Sequence, residues 1–323
     1  MLNRNDPPAL ALKVASAHPR KKRPPASVRV PAQQDAHDNK RTAEEIENAL
    51  FEGDCIEVLR RFPPHSVDMI LCDLPYGTTQ NKWDSVINLD ALWEAYARVL
   101  KRSGAVVLTS QGVFTAKLIL SNERWFKYKL VWEKSKPTNF LNAKKQPMRK
   151  HEDICVFYRA QPTYNPQMGE GAPYDKGVRK NQLSGSYGNF QPAHVHSPGG
   201  RYPTDVIYFK TSESEGPVWH PTQKPVELAR YLIRTYTKPG DLILDNAFGS
   251  GSFLVAAAAE GRRFCGIEKN EDVHLFKKHA IDYLALAEQR LQAVLGTPKR
   301  TPSGIAPTIR VYRQQQTKNE RRL

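Results

Sequence analysis

Asp73-Leu74-Pro75-Tyr76 is the stretch whose residue types best suit chemistry. It follows Val67 to Cys72, where five of six residues are apolar or sulfur-bearing, and it runs into Gly77, Thr78 and Thr79. That pattern reads as a buried strand ending in a turn. A carboxylate, a Pro-restrained main chain and an aromatic ring are then presented together at a strand's carboxyl end, where open α/β sheets bind ligands. The Asp73 carboxylate and the Leu74 carbonyl offer two acceptors for the two N–H groups of one amine, and Tyr76 offers a stacking plane. Paired acceptors of this kind localise a lone pair that an aromatic ring would otherwise delocalise. An Asx-type turn is the plainer alternative for the same four residues.

A second stretch, Asp245-Asn-Ala-Phe-Gly-Ser-Gly251, lies between the short apolar run Leu242–Leu244 and a small-residue segment. Glycines at a strand-to-helix turn let the backbone approach a ligand, and the helix N-terminus favours negative charge. Glu268 ends the next apolar run, near the offset at which a carboxylate reaches ribose hydroxyls in dinucleotide folds. The third glycine of the pyrophosphate fingerprint is missing, which disfavours a pyrophosphate and leaves a nucleoside ligand open. Taken alone, this glycine pattern reads as a tight structural turn. The strand context and Glu268 favour a cofactor loop.

These stretches need elements to position them. Asn48 to Gly53 reads as a strand, and Asp54 as the cap of a helix that Pro63 and Pro64 stop. Asp90 to Arg102 is amphipathic, with Leu89, Leu92, Trp93, Tyr96, Val99 and Leu100 on one stripe and Gly104 as its terminator. Strands follow at 105–109, 128–132, 154–158, 242–244 and 263–267. Helices are expected at 113–120, after Pro225 as a first helical residue, at 253–260, and from about Asp272 to Leu295. Strands alternating with helices imply a largely parallel sheet covered on both faces. Residues 77–88 form a polar loop containing Trp83. Residues 161–218 break the rhythm, and their Tyr164, Tyr187, Asn189, Phe190, Arg201 and Tyr202 favour a binding segment over a linker.

Net charge is +15, unevenly placed. Residues 1–41 carry nine Lys/Arg against three Asp, and residues 297–323 carry seven against one Glu. Both read as disordered basic tails that attract nucleic acid weakly or simply aid solubility. Within the core, residues 127–150 carry eight Lys/Arg and one Glu, a better candidate for phosphate contact. No apolar run suits a membrane helix, and the polar, Pro-rich N-terminus does not read as a secretory signal. Cys55, Cys72, Cys155 and Cys265 are isolated, reading as reduced core residues of an intracellular protein with no zinc spacing.

Asp73-Leu-Pro-Tyr76 is similar to the D-P-P-Y motif of amino-group DNA methyltransferases. His220-Pro-Thr-Gln-Lys-Pro225 and Leu244-Asp-Asn-Ala-Phe-Gly-Ser-Gly-Ser252 resemble the S-adenosylmethionine-side motifs of that family, in the order of its β class. The resemblance covers roughly residues 48–290. It implies a Rossmann-like S-adenosylmethionine methyltransferase sheet of seven mostly parallel strands, α/β in class. The catalytic half would be 42–160, an inserted irregular target-recognition segment 161–218, and the donor-binding half 219–296. Asp73, Leu74, Pro75 and Tyr76 would be catalytic, the Leu74 carbonyl serving although the family has Pro there. Asp245, Phe248, Gly249, Ser250 and Gly251 would line the donor, with Glu268 on its ribose, Thr222 and Lys224 near its methionine end, and Asp54 at its adenine ring. No metal is implied. The implied activity is transfer of a methyl group to adenine N6 in double-stranded DNA, with base flipping, in a cytoplasmic protein of prokaryotic or phage type. Cytosine N4, an RNA substrate and a silent DNA-binding relative are the alternatives. A second copy of the chain and a restriction endonuclease are further partners that the resemblance allows.

Overall fold

Val67–Cys72 (β2) shows how the sheet is built. Met69 and Leu71 point to one hydrophobic cluster while Ile70 and Cys72 point to the other, and all four are fully buried. A strand with apolar residues on both faces must be covered on both, as parallel sheets are. The computed structural model describes residues 40–77, 85–179, 193–270, 274–276, 279–296 and 308–314. Expectations for the first tail up to Asn39, for Thr78, Thr79 and Trp83, and for Tyr187, Asn189 and Phe190 lie outside the described residues.

The other strands of the main sheet are Ala49–Glu52 (β1), Leu100–Ser110 (β3), Phe126–Thr138 (β4), Arg149–Tyr158 (β5), Val206–Phe209 (β6), Leu242–Asp245 (β7), Arg263–Glu268 (β8) and Arg310–Tyr312 (β9). Their order is β6-β4-β5-β3-β2-β7-β8-β1-β9. Only β5 pairs antiparallel with its neighbours. Helices Cys55–Arg60 (α1), Leu89–Val99 (α2) and Val113–Ser121 (α3) cover one face. Helices Val226–Tyr236 (α4), Ser252–Ala259 (α5) and Tyr283–Leu295 (α6) cover the other. The strand order reverses between β2 and β7, which are hydrogen-bonded neighbours with Leu244 opposite Ile70. Ligands bind at such a reversal, outside the carboxyl ends of the strands.

Several expectations are corrected. Seven strands become nine, because both edges are extended. Val206–Phe209, rich in β-branched and aromatic residues, emerges from the irregular segment to pair with β4. Arg310–Tyr312, inside the tail expected to be disordered, pairs with β1. It is held there by Tyr312 stacked on Phe51 at 4.7 Å and by Arg310, which donates to the Glu44 and Glu47 carbonyls. The segment 161–218 also contains two short antiparallel pairs, Gly169–Glu170 with Gly200–Arg201 and Tyr174–Arg179 with Ala193–Ser197. The last helix begins at Tyr283 and not near Asp272, because Asp282 is its extended N-cap and accepts from Ala285 N at 3.1 Å. Residues His274–Phe276 and His279–Ile281 form an antiparallel pair before it. Pro225 is the N-cap of α4, so the helix begins at Val226, one place later than expected, and the Glu215 carboxylate accepts from Val226 N and Glu227 N.

Gly104 terminates no helix: α2 ends at Val99, and Gly104 lies within β3. An ideal Cβ there would stand 2.7 Å from the Asp68 carbonyl oxygen and 2.6 Å from Leu100 Cδ1. Main chain cannot retreat as a side chain tip can, so Gly104→Ala should cost about 1–3 kcal/mol. Reversible chemical denaturation of the variant reads that loss, and an unchanged midpoint would contradict the close approach.

Candidate active site

The ends of β2 and β7 lie side by side, so the two stretches of chemical interest share one crevice. Asp73 leaves β2 half-buried, with both carboxylate oxygens engaged. Oδ1 accepts from the Tyr76 hydroxyl at 2.7 Å and from Thr109 Oγ1 at the end of β3, and Oδ2 accepts from Lys224 Nζ at 2.6 Å. Lys224 is only 8% exposed and also stands 3.4 Å from Glu152 Oε2 on β5. Glu152 Oε1 meets the buried Lys134 Nζ at 3.2 Å. Burial opposes the Lys224 charge, but Asp73 and Glu152 outweigh it and hold the ammonium above its usual range. The result is a chain of alternating charge, Asp73, Lys224, Glu152, Lys134, that runs across the sheet.

The Leu74 side chain is buried in the core, which fixes the turn where a second proline is missing. The Tyr76 ring stacks on Phe114 of α3 at 5.1 Å with 27° between planes, and the Lys224 ammonium stands 5.5 Å from its centroid. Burial and then the Asp73 carboxylate push the Tyr76 phenol well above its ordinary value. It is therefore a hydrogen-bond donor at neutral pH.

On the β7 side, Gly249 and Gly251 both have left-handed φ, 50° and 76°. A Cβ on Gly251 would approach Ala287 Cβ to 2.9 Å, so the turn passes closely under α6. Gly249 N–H donates to Glu268 Oε2 at 2.7 Å, placing that carboxylate against the turn. Gly53 N–H donates to the Glu268 carbonyl at 2.9 Å, which brings Asp54 alongside. Asp54 itself caps α1 through Ile56 N and Glu57 N. His220 lies 3.7 Å from an ideal Gly249 Cβ and bonds Thr222 Oγ1 through Nδ1 at 3.0 Å. Asp54, Gly249, Gly251 and Glu268 thus converge, with Thr222 attached through His220. Lys224 belongs to Asp73. The Phe248 side chain points into the core, and the Ser250 carbonyl accepts from Arg290.

Asp245 is buried, with its carboxylate against the Cys72 thiol and the Ala247 N–H. Burial pushes its carboxyl up to about 8. Burial likewise raises Glu268. Beside Asp245, Asn246 Oδ1 accepts from Tyr96 OH at 2.5 Å, and its buried Nδ2 has no partner among the described residues. Thr109, Glu152 and Lys134 carried no signal beyond polarity in or beside apolar strands; Tyr96 and Asn246 stood in the helix stripe and the glycine stretch with no role of their own, and Phe114 lay on the helix expected at 113–120. Among the described residues no cluster of His, Cys, Asp and Glu could hold a metal ion, and no helix is long and apolar enough to cross a membrane. The four cysteines are buried and unpaired.

An α/β sheet that sets an acid-bearing turn beside a glycine turn at adjoining strand ends defines the class of S-adenosylmethionine-dependent methyltransferases. The chain belongs to the DNA methylase family of N6/N4 methyltransferases, whose model matches residues 67–278. It is 28% identical over 237 residues to the DNA adenine methyltransferase YhdJ of Escherichia coli K12, covering 69% of this chain and 79% of that one. It is 25% identical over 288 residues to the type II methyltransferase M.HinfI of Haemophilus influenzae, covering 78% and 70%. The fold is similar to that of M1.HpyAVI in complex with S-adenosylmethionine, with a TM-score of 0.51 at 21% identity over 75% of this chain and 98% of that one. It is equally similar to the cytosine-N4-specific PvuII DNA methyltransferase, with a TM-score of 0.51 at 13% identity over 77% and 95%. The protein is a DNA methyltransferase that uses S-adenosylmethionine. The crevice fits that cofactor through its glycine turn and the Glu268 carboxylate held against it.

The Asp245 titration has a definite sign. Its proton is held more tightly in the folded chain than at the ordinary value of 3.8. The stabilising contribution is full below about pH 4 and is lost as pH rises through about 8. Asp245→Asn removes that loss. Ligand-free variant and wild type, compared by chemical denaturation, should diverge in the variant's favour between about pH 4 and 8, by on the order of a few kcal/mol, and no further above it. Parallel pH profiles would show that Asp245 is not held as an acid.

Proposed function

We propose that the protein methylates the N6 amine of adenine in duplex DNA, with the base turned out of the helix into the crevice beside Asp73. The observation that carries this reading is the Asp73 carboxylate, fixed by Lys224 at 2.6 Å, on the strand end next to the Gly249–Gly251 turn. An Asp at the head of the D-L-P-Y turn and the name of the Escherichia coli relative both support adenine.

S-adenosylmethionine supplies an electrophilic methyl group on a sulfonium. The chain's own residues prepare the nucleophile. Asp73 Oδ1 is occupied by the Tyr76 and Thr109 hydroxyls, and an incoming amine N–H replaces the Tyr76 O–H there. The freed ring then stacks on the base, an interaction worth about 1–3 kcal/mol. That is comparable with the few kcal/mol that extruding a base costs. Lys224 keeps its bond to Oδ2 throughout and holds the carboxylate in aim. The Leu74 carbonyl takes the second N–H. Gain of the methyl group, with the C–S bond pair leaving on the donor's sulfur, would oblige the nitrogen to lose one proton, for which the Asp73 carboxylate is an available acceptor. Orientation and fixed charges do most of the work in such a site. At the donor, Glu268 would hold the ribose hydroxyls, Asp54 the adenine ring, and Asp245 with the backbone of 248–251 the remainder, with Thr222 at its edge through His220.

The recognition segment 161–218 reads the site, with Arg201 held over the Tyr174 ring at 4.7 Å and Tyr202 exposed. A protein acting on cellular DNA would work at the nucleoid. A restriction endonuclease or a second copy of the chain would be the further partners of such an enzyme.

Incubation with labelled donor and unmethylated duplex DNA, followed by nucleoside chromatography, tests the reading. N6-methyladenine should appear, and Asp73→Ala should lower the rate by about 10²–10³-fold or more. Tyr76→Ala should lower kcat/KM by roughly 10- to 100-fold. Label in N4-methylcytosine would overturn the adenine assignment, and full activity of Asp73→Ala would overturn the role of that residue.

A further inference from the structure

Strands β4 and β5 are joined by a tip, residues 139–148, at the same end of the sheet as Asp73. Glu152, which meets Lys224, lies three positions along β5 from Arg149, so the tip begins about 10 Å beyond the catalytic ion pair. The tip is a built turn. Asn139 takes the left-handed conformation at φ 68°, its Oδ1 accepts from Asn142 Nδ2 at 2.7 Å, and a 3₁₀ turn spans Phe140–Asn142. Ala143 N–H bonds the Phe140 carbonyl at 3.0 Å, and Lys145 N–H bonds that of Asn142 at 2.8 Å. On this turn Phe140 is 73% and Leu141 83% exposed. An ordered turn that holds two large apolar side chains in water leaves their burial to a partner.

The flanks indicate the partner. Lys136, Lys144, Lys145, Arg149 and Lys150 are all exposed around the apolar pair. Lys150 is paired with Glu133 and Arg149 with Gln111, but Lys144 and Lys145 make no ion pair among the described residues. A rim of one sign repels a second identical rim and attracts a polyanion. Duplex DNA offers phosphates at the rim and stacked bases between them. Apolar side chains are the wedges with which DNA-binding proteins part a base step.

We propose that Phe140 and Leu141 enter the base stack beside the extruded nucleotide while Lys144 and Lys145 hold the flanking phosphates. The proposal rests on duplex DNA as substrate and is independent of which base is methylated. A wedge meets less resistance where stacking is already broken. The test measures binding of the full chain to a fluorescent mixed-sequence duplex, intact or carrying one central abasic site. Wild type should bind the abasic duplex roughly tenfold more tightly. The Phe140→Ser, Leu141→Ser double variant should bind the two duplexes alike. A Lys144→Ala, Lys145→Ala variant should weaken both equally, keep the preference, and lower the salt slope by about two. Equal binding by wild type, or a preference that survives in the double serine variant, would overturn the proposal. So would a double serine variant that keeps the preference while sedimentation shows a dimer reduced to a monomer, since the tip would then be a contact between copies. Failure of the adenine assignment appears only in the nucleoside assay and leaves this comparison standing.

Discussion

The contact between Lys224 and Asp73 governs the arrangement of the site. Both partners are largely withdrawn from water, and a buried charge left alone costs several kcal/mol, so each requires the other. The requirement joins three distant pieces of chain: the end of β2, the turn before α4, and β5 through Glu152. Glu152 balances the lysine that Asp73 alone would share with solvent, and Lys134 balances Glu152 in turn. Charge neutrality is thus reached only when the two halves of the domain are closed on each other. The Asp73 carboxylate is oriented by the same contacts that assemble the crevice.

Pairing also explains the occupied state of the carboxylate. Tyr76 lends its hydroxyl to Asp73 and its ring to Phe114. In the proposed function each interaction is exchanged for one with a base, O–H for N–H and ring for ring. The turn therefore avoids an unsatisfied acceptor while it waits, and it gives up little when the ligand arrives.

Much of this was legible in the chain. Apolar runs such as Val67–Cys72 and Leu242–Leu244 announce strands buried on both faces, and the turns after them announce the chemistry. The adjacency of those two turns followed from family order rather than from periodicity. Lys224 could not be assigned from spacing, because a residue 151 positions from Asp73 reaches it only through the sheet. Glu152 lay outside the strand expected at 154–158, which begins at Arg149. Gly104 carried the residue type of a helix stop but serves a close approach of Asp68. The edge strand Arg310–Tyr312 was hidden by averaging, since a basic composition over 27 residues (297–323) conceals three that alternate and pair. Asp282 carried a cap signal that a continuous helix pattern overrode.

That edge strand has a topological consequence. Tyr312 lies on Phe51 and also under the Arg41 guanidinium at 4.1 Å, so the first and last described segments of the fold meet at one margin of the sheet. A short linker there would close the backbone into a ring, and fresh termini could be opened in a connection at the opposite margin without changing which strand ends face each other. The adjacency of the Asp73 turn and the glycine turn is fixed by the hydrogen-bonded ladder between β2 and β7 and not by the order of segments along the chain.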